Sequence, residues 1–205
     1  MQAEALLTSS GTPLAGDRHQ VPLLLTPRLF GDDRGFFFES WNQRSFATAL
    51  GLPLAQAPAF VQDNHSRSSR GVLRGLHYQL PPHPQGKLVR CVVGEIFDVA
   101  VDIRRSSPTF GQWVGAVLSS DNHQQQWVPE GFAHGFLTLS EHAEVLYKTT
   151  DFWSKDCERA IRWDDPQLAI AWPLNSLGGI EPLLAQKDAA AHTLAEALTA
   201  RELFA

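Results

Sequence analysis

The sequence has little cysteine and no long run of one charge. Cys91 and Cys157 are the only two cysteines in 205 residues, which excludes a disulfide scaffold and favours a reducing, cytoplasmic location. Lys and Arg number 17 against 22 Asp and Glu, for a net charge of −5, and the charges are dispersed. This balance argues against a nucleic-acid or anionic membrane partner.

Long apolar segments are also absent. The longest, around residues 21–25, is far short of the ~20 residues that a membrane-spanning helix needs, so no membrane span is expected. Residues 1–16 do not contain a basic segment followed by an apolar one, which is the pattern of a secretory signal, so no secretory signal is expected. The length, with 43% hydrophobic and 19% charged residues, fits one globular domain.

Turn-forming residues are abundant and evenly spread. The 15 glycines and 13 prolines place turns at short intervals and predict an all-β chain of many short strands. Apolar or β-branched residues at period two predict strands at residues 71–80, 96–103, 132–139 and 143–150. Two packed antiparallel sheets, a sandwich or jelly roll, are the expected architecture.

Two segments carry helical patterns instead. Residues 42–50 are apolar on one face and end at Gly51, a C-terminal cap, with Pro53 beyond. Residues 188–203 place an apolar stripe at helical spacing, which predicts one amphipathic helix at the C-terminus. Residues 1–19 show no periodicity, so we expect a loosely ordered leader before a single domain at 20–205.

Titratable residues beside glycines on the predicted strands suggest a lined cavity. Strict alternation would send Arg74 and His77 to opposite faces, but a bulge at Gly75 would re-aim one of them. Lys87 begins the next strand, which is expected to pair with the strand of His77. The base and the ammonium would then face one space.

Each of these signals also has a structural interpretation. His77 and His134 fit a hydrogen-bonded core histidine as well as a functional one. Tyr147, on an apolar strand face, fits a packed ring. Arg34 lies in a Gly-Asp-Asp-Arg-Gly turn, where its guanidinium is suited to an ion pair with the neighbouring aspartates of the same turn. Spacing alone leaves these alternatives open.

Several segments together resemble a known family. They are FVQDNHS (60–66), VLRGLHYQ (72–79), QGKLVR (85–90), FDVAVD (97–102) and PEGFAHGF (129–136). In this order they resemble the dTDP-4-dehydrorhamnose 3,5-epimerases, and the resemblance runs from about residue 24 to residue 188. It implies a cupin-type jelly roll that forms a homodimer.

The resemblance implies an isomerase of dTDP-L-rhamnose biosynthesis that needs no cofactor. Its substrate would be a dTDP-4-keto-6-deoxysugar, inverted at C3 and C5 by proton removal and return on the opposite face. His77 would be the base, oriented by Asp188, and Tyr147 the acid. Lys87, with His134 nearby, would stabilise negative charge on the C4 oxygen.

The resemblance also implies a set of substrate-binding residues. They are Arg34, Glu39, Gln62, Asp63, Asn64, Arg74, Lys87, His134, Phe152, Glu158 and Lys187. Arg34 and Arg74 suit the diphosphate, because guanidinium groups bind phosphate bidentately. Phe152 or Trp153 would stack on the base where family members usually carry Tyr, a departure in this sequence. Arg34 and Glu39 would serve the partner subunit's site.

Three other functions stay open at this stage. A single-position 3- or 5-epimerase of a related sugar nucleotide would share the same residues. A metal-dependent cupin oxygenase is disfavoured, because Tyr78 and Gln79 follow His77 where a second histidine ligand is needed, and Lys87 would place a cation in the cavity. No metal site is therefore expected. A sugar-nucleotide binding module without catalysis is the third.

Overall fold

The computed structural model describes all 205 residues, and strands dominate it. The strands are β1 (Gln2–Ala5), β2 (Leu23–Thr26), β3 (Phe30–Asp32), β4 (Gly35–Phe37), β5 (Gln62–Ser69), β6 (Leu73–Gln79), β7 (Lys87–Val93), β8 (Glu95–Asp102), β9 (Trp113–Ser119), β10 (Gln125–Val128), β11 (Phe132–Thr138), β12 (His142–Thr149) and β13 (Glu158–Ala160). The helices are α1 (Gln43–Leu50), α2 (Gln186–Ala189) and α3 (Leu194–Thr199). Three short 3-10 helices lie at Arg18–Gln20, Leu54–Gln56 and Leu174–Leu177.

The strands form two large antiparallel sheets and a small hairpin. The six-stranded sheet has the order β1-β2-β10-β7-β12-β5, and the five-stranded sheet has the order β13-β6-β11-β8-β9. Strands β3 and β4 pair only with each other. The predicted all-β jelly roll is confirmed, and all four strands predicted from period-two patterns are present, with ends that differ by at most two residues.

Apolar side chains fill the space between the sheets and cover both outer faces. The inner cluster joins Val89 and Val145 of one sheet to Ile96, Leu118 and Phe136 of the other. The largest cluster lies on the outer face of the five-stranded sheet, where the C-terminal segment packs through Trp172, Leu177 and Leu194, among others. Helix α1 covers part of the six-stranded sheet. The sheets are thus held in a fixed stacking.

The predicted helix at residues 42–50 is confirmed as α1. Asn42 caps it by accepting hydrogen bonds from the amides of Arg44 and Ser45, and Gly51 ends it in the left-handed conformation at φ 73°. The prediction of one helix over residues 188–203 is wrong, because this segment forms the end of α2 and the separate helix α3. Thr193 starts α3 through a capping box with Glu196, which interrupts the predicted stripe. None of the three α-helices has the length and hydropathy of a membrane-spanning segment.

The first 19 residues differ from the expected loose leader. Strand β1 extends the six-stranded sheet by pairing antiparallel with β2. Leu14 is buried in the cluster under α1, and the Arg18 guanidinium donates to the carbonyl oxygens of Ala49 and Ala3. A four-residue strand of Gln, Ala and Glu has little intrinsic strand preference, so its pairing comes from the sheet edge that β2 offers.

A bulge in β6 is the local feature that positions the most side chains. In the pairing with β11, His77 lies opposite His134 and Arg74 lies opposite Phe136, so β6 contains one extra residue. The bulge predicted at Gly75 is therefore confirmed. Gly75 has φ 127°, and a Cβ there would lie 2.5 Å from the Cα of Gly135. Only glycine fits this conformation and this close contact.

We predict that Gly75→Ala lowers the free energy of unfolding by about 3 kcal/mol or more, because backbone strain adds to a clash that neither strand can relieve. Gly11→Ala is the control, since Gly11 also has a positive φ, 78°, but nothing lies within 4 Å of its Cβ position. It should cost only about 1–2 kcal/mol. Urea unfolding of both variants measures the difference, and equal losses would contradict the close-contact explanation.

Candidate active site

A polar cavity of about 130 Å³ opens between the two sheets. The six-stranded sheet contributes side chains from β5, β7 and β12, and the five-stranded sheet contributes side chains from β6 and β13. The lining residues are Gln62, Asn64, His77, Tyr78, Gln79, Gln85, Lys87, Tyr147, Thr149, Trp153 and Glu158. Six of the residues predicted from the sequence, Gln62, Asn64, His77, Lys87, Tyr147 and Glu158, are thereby brought to one space.

The bulge in β6 turns both Arg74 and His77 toward the opposite sheet. His77 lines the cavity, and Arg74 Nε donates to Ser68 Oγ of β5 over 3.0 Å. Residues three apart on a regular strand would face opposite ways, so this geometry depends on the extra residue at Gly75. His77 and Arg74 therefore lie on the same side of β6, although Arg74 is exposed and does not line the cavity.

His77 forms a short hydrogen bond with Asp188 of α2. Nε2 of the imidazole donates to Oδ1 over 2.6 Å, and the Gly75 amide donates to the other oxygen over 3.5 Å. The Asp188 side chain is only 3% exposed, whereas that of His77 is 24% exposed. Because the carboxylate accepts at Nε2, Nδ1 is left as the free basic nitrogen.

The environment keeps this pair in the state that a general base requires. Burial lowers the pKa of His77 below its ordinary value, although Asp188 acts in the opposite direction. The pKa of Asp188 also lies below its usual value: burial would raise it, but the hydrogen bonds from His77 and from the Gly75 amide help to outweigh burial. At neutral pH the imidazole is neutral and the carboxylate is ionised.

Lys87 reaches the same space from the other sheet. The strand pairing predicted for it is wrong, because β7 pairs with β10 and β12 and β6 lies in the five-stranded sheet. Lys87 is nevertheless close to His77, since its Nζ donates to the His77 carbonyl oxygen over 3.1 Å. Burial lowers the pKa of Lys87 to about 8, while Asp98 and Glu158 act to raise it. Sheet stacking, not strand pairing, brings the two together.

Tyr147 lies on the wall formed by the six-stranded sheet. Its neighbours in the pairing are Asn64 of β5 and Val89 of β7, and it shares the inner face with Val145 and Thr149. Burial raises the pKa of its hydroxyl, which therefore stays protonated at neutral pH. A neutral base and a protonated hydroxyl thus occupy opposite sheets around one cavity.

His134 and Asp98 form a second histidine–carboxylate pair, buried beside the cavity. His134 Nε2 lies 2.8 Å from Asp98 Oδ1, and the other oxygen of Asp98 is buried without a hydrogen-bond partner. Asp98 is not among the residues predicted for the site. The sequence does contain a sign of its role, because Asp98 alternates with the apolar Phe97 and Val99 along β8. This alternation places a carboxylate on the face of the strand that becomes buried when the two sheets stack.

Other predicted binding residues surround the mouth of the cavity. Lys187 Nζ lies 3.0 Å from Glu158 Oε1. Gln62 donates to Asn64 over 2.9 Å and accepts from the amide of Trp153 over 3.0 Å. This bond holds Trp153 against the cavity, which it lines. The mouth therefore carries amide, charged and aromatic groups together.

Besides Arg74, His134, Lys187 and Asp188, four more predicted residues do not line the cavity of their own chain. Alternation turns Asp63 to the other face of β5, where it pairs with Lys148 at 2.9 Å. Phe152 is exposed and does not line the cavity. Glu39 accepts from Asn42, and Arg34 pairs with Asp32 at 2.6 Å in an exposed turn. The structure does not bring these side chains to His77.

No three His, Cys, Asp or Glu side chains of the chain converge in a way that would hold a metal ion. The two histidines nearest the cavity are each hydrogen-bonded to a carboxylate, His77 to Asp188 and His134 to Asp98. The cavity is lined by a neutral imidazole, a buried ammonium and a protonated phenol, which are groups suited to acid–base chemistry.

Comparison with known proteins identifies the family. The family described as dTDP-4-dehydrorhamnose 3,5-epimerase matches residues 20–196. The chain belongs to this family. A dTDP-4-dehydrorhamnose 3,5-epimerase of Pseudomonas aeruginosa is 62% identical over 175 residues, which cover 85% of this chain and 92% of the relative.

Solved structures extend the comparison to epimerases of two kinds. The chain is similar to a dTDP-6-deoxy-D-glucose-3,5-epimerase of Legionella pneumophila in complex with dTDP-4-keto-L-rhamnose, with 46% identity, a TM-score of 0.83 and coverage of 99% and 98% of the two chains. It is also similar to a 3′-monoepimerase of Streptomyces bikiniensis in complex with dTDP-quinovose, with 34% identity, a TM-score of 0.80 and coverage of 89% and 88%. The identity is higher with the 3,5-epimerases.

For this epimerase we predict that kcat/KM falls as the pH rises through about 8, which gives the pH profile an alkaline limb. Lys87 is charged below its pKa of about 8 and loses its charge as the pH rises through that value. Asp98→Asn removes a charge that raises the pKa of Lys87, so the limb should move to lower pH. Asp164→Asn is the control, because Asp164 pairs with Arg162 away from the cavity. An unmoved limb in Asp98→Asn would contradict the assignment.

Proposed function

We propose that the cavity converts dTDP-4-dehydro-6-deoxy-D-glucose to dTDP-4-dehydro-L-rhamnose by inverting C3 and C5. Both carbons flank the C4 ketone, so loss of either hydrogen gives an enolate. Return of a proton to the opposite face then inverts that carbon. This chemistry needs a base and an acid on opposite sides of the sugar ring, and no redox step.

The observation that carries the proposal is the placement of His77 and Tyr147 on facing sheets. His77, oriented by Asp188 at 2.6 Å, is the base that removes the C3 or C5 proton through Nδ1. Tyr147 is the acid that protonates the enolate from the other face. Burial supports both roles, because it lowers the pKa of the first group and raises that of the second.

Lys87 is the group proposed to stabilise the enolate oxygen. Its ammonium is buried and fixed by the His77 carbonyl, so it needs little reorganisation when charge develops on the C4 oxygen. Preorganised donors of this kind commonly contribute ~3–4 kcal/mol to the transition state. His134, held by Asp98, is the second group proposed for this role.

The nucleotide is proposed to bind across the mouth of the cavity. Arg74 makes no ion pair, so its guanidinium is free to bind the diphosphate. Asn64 and Lys187 are proposed as further ligands of the nucleotide. Gln62 and Glu158 suit hydrogen bonds with the base or sugar. Trp153 has the better position to stack on the base, because it lines the cavity and Phe152 does not.

Solvent isotope incorporation tests the activity. With purified protein and the keto-sugar nucleotide in heavy water, we expect deuterium at both C3 and C5 of the product by mass spectrometry. His77→Asn should lower turnover by about 10²–10⁴-fold, the usual contribution of a positioned base. Deuterium at one carbon only would support a single-position epimerase, the alternative that the similarity to a monoepimerase favours. Wild-type protein without turnover would leave a binding function.

We propose further that the site is completed by a second copy of the chain in a homodimer. The β3–β4 hairpin projects Phe30, Phe36 and Phe37, which are 51%, 61% and 68% exposed. Large apolar side chains grouped on a projecting hairpin are typical of an interface. Arg34 lies at the tip of this hairpin and Glu39 lies just after it. A partner's cavity would then receive both residues.

Mixed dimers test the shared site. Arg34→Ala and His77→Ala chains, each inactive or weak alone, are mixed, unfolded and refolded together. Half of the resulting dimers are mixed, and one of the two sites in each mixed dimer has both residues intact. The mixture should therefore recover about a quarter of wild-type activity. A mixture of His77→Ala and Tyr147→Phe is the control, because both residues lie in one chain's cavity. It should recover nothing. Equal recovery in both mixtures, or none in either, would contradict the proposal.

We also propose that residues 20–205, with β1 completing the edge of their six-stranded sheet, act as one catalytic domain in the cytoplasm. The family match over residues 20–196 and the continuous packing of the C-terminal segment on the five-stranded sheet support the single domain. Two buried, unpaired cysteines, Cys91 and Cys157, suit a reducing compartment. Fractionation of cells that produce the protein would test its location.

A further inference from the structure

A second cavity, of about 370 Å³, adjoins the site on the side of β13 and α2. The mechanism above does not use it. Its lining is His77, Glu158, Arg159, Ala160, Lys187, Ala190, Ala191, His192 and Glu202. It shares His77 and Glu158 with the substrate cavity, so the base is in contact with two separate spaces. We call the second space the rear cavity.

The charges of the rear cavity are already paired. Arg159 Nε lies 2.8 Å from Glu202, and His192 Nδ1 lies 3.1 Å from the same carboxylate. Lys187 lies 3.0 Å from Glu158. Two cations therefore face two carboxylates, with His192 in addition, so neither cation of the rear cavity is without an anionic partner. Three alanines leave the space between these groups open, so the rear cavity is polar and suited to water.

Double inversion imposes a demand that one inversion does not. After the first inversion His77 holds the proton that it removed, and Tyr147 has lost the one that it donated. Before His77 can remove a second proton from the same bound sugar, it must lose the first. The bound sugar lies between His77 and Tyr147 and covers the side of His77 that faces the 130 Å³ cavity, so the proton on His77 needs an exit that does not cross the sugar.

We propose that the rear cavity is the route by which His77 returns its proton to solvent between the two inversions. The N–H bond of the imidazolium breaks, the proton passes to water in the rear cavity, and the paired carboxylates and His192 transfer it onward. Tyr147 regains a proton from solvent, so one proton leaves and one enters for each inversion. The inference rests on the proposed 3,5-epimerase function.

Filling the rear cavity tests this role. Ala191→Leu and Ala190→Leu add bulk to its wall, and Ala190 is exposed, so that at least the second variant should fold. Ala189→Leu is the control, because Ala189 is an exposed residue of α2 that does not line the cavity. The reactions are run in heavy water with the keto-sugar nucleotide and stopped early.

Two ratios report the effect, and neither depends on the amount of folded enzyme. In the filled variants we expect a several-fold rise in the share of released sugar inverted at only one carbon, because His77 is reset too slowly for the second step. We also expect less deuterium in the recovered substrate, because the removed proton returns before it exchanges.

The outcomes separate the inference from the function on which it rests. If both filled variants give the same two ratios as Ala189→Leu and the wild type, the rear cavity has no role in proton release. If wild-type protein itself inverts only one carbon or neither, the proposed double epimerisation fails first. Loss of turnover in the filled variants with unchanged ratios would count as a structural effect and would also overturn the inference.

Discussion

The close contact between the backbones of Gly75 and Gly135 sets the geometry of the whole site. With no side chain at either position, β6 and β11 approach each other at the bulge. The extra residue turns Arg74 and His77 to the same side, and it directs the Gly75 amide toward Asp188. The bulge thus sets the direction of His77 and of Arg74, and it places the Gly75 amide where it donates to Asp188.

Burial between the sheets then decides the protonation states. Poor hydration keeps His77 neutral and the Tyr147 hydroxyl protonated, which are the states that a base and an acid need. It also lowers the pKa of Lys87 to about 8, but Asp98 and Glu158 oppose that change, so the ammonium stays charged at neutral pH. The same low hydration makes each of these groups effective toward a developing enolate.

An anionic substrate must be reconciled with a chain whose net charge is −5. Two of the cations proposed to bind the nucleotide are already paired with a carboxylate, Lys187 with Glu158 and Arg34 with Asp32. Binding of a diphosphate by these groups would therefore exchange one anionic partner for another. Arg74 differs, because it bonds only to Ser68 and a backbone carbonyl. Overall charge describes the surface and not this local arrangement.

The sequence by itself determined the two-sheet class, the four strands with period-two patterns, α1, the bulge at Gly75 and, through its motifs, the family. These features depend on short-range periodicity, on turn residues and on the conformational freedom of glycine. Only the tertiary structure decided that Lys87 meets His77 across the stacked sheets, that Asp98 holds His134, that Asp63 faces away, and that residues 2–5 complete a sheet. Each of these depends on which distant strands become neighbours, and period-two alternation along one strand carries no information about that.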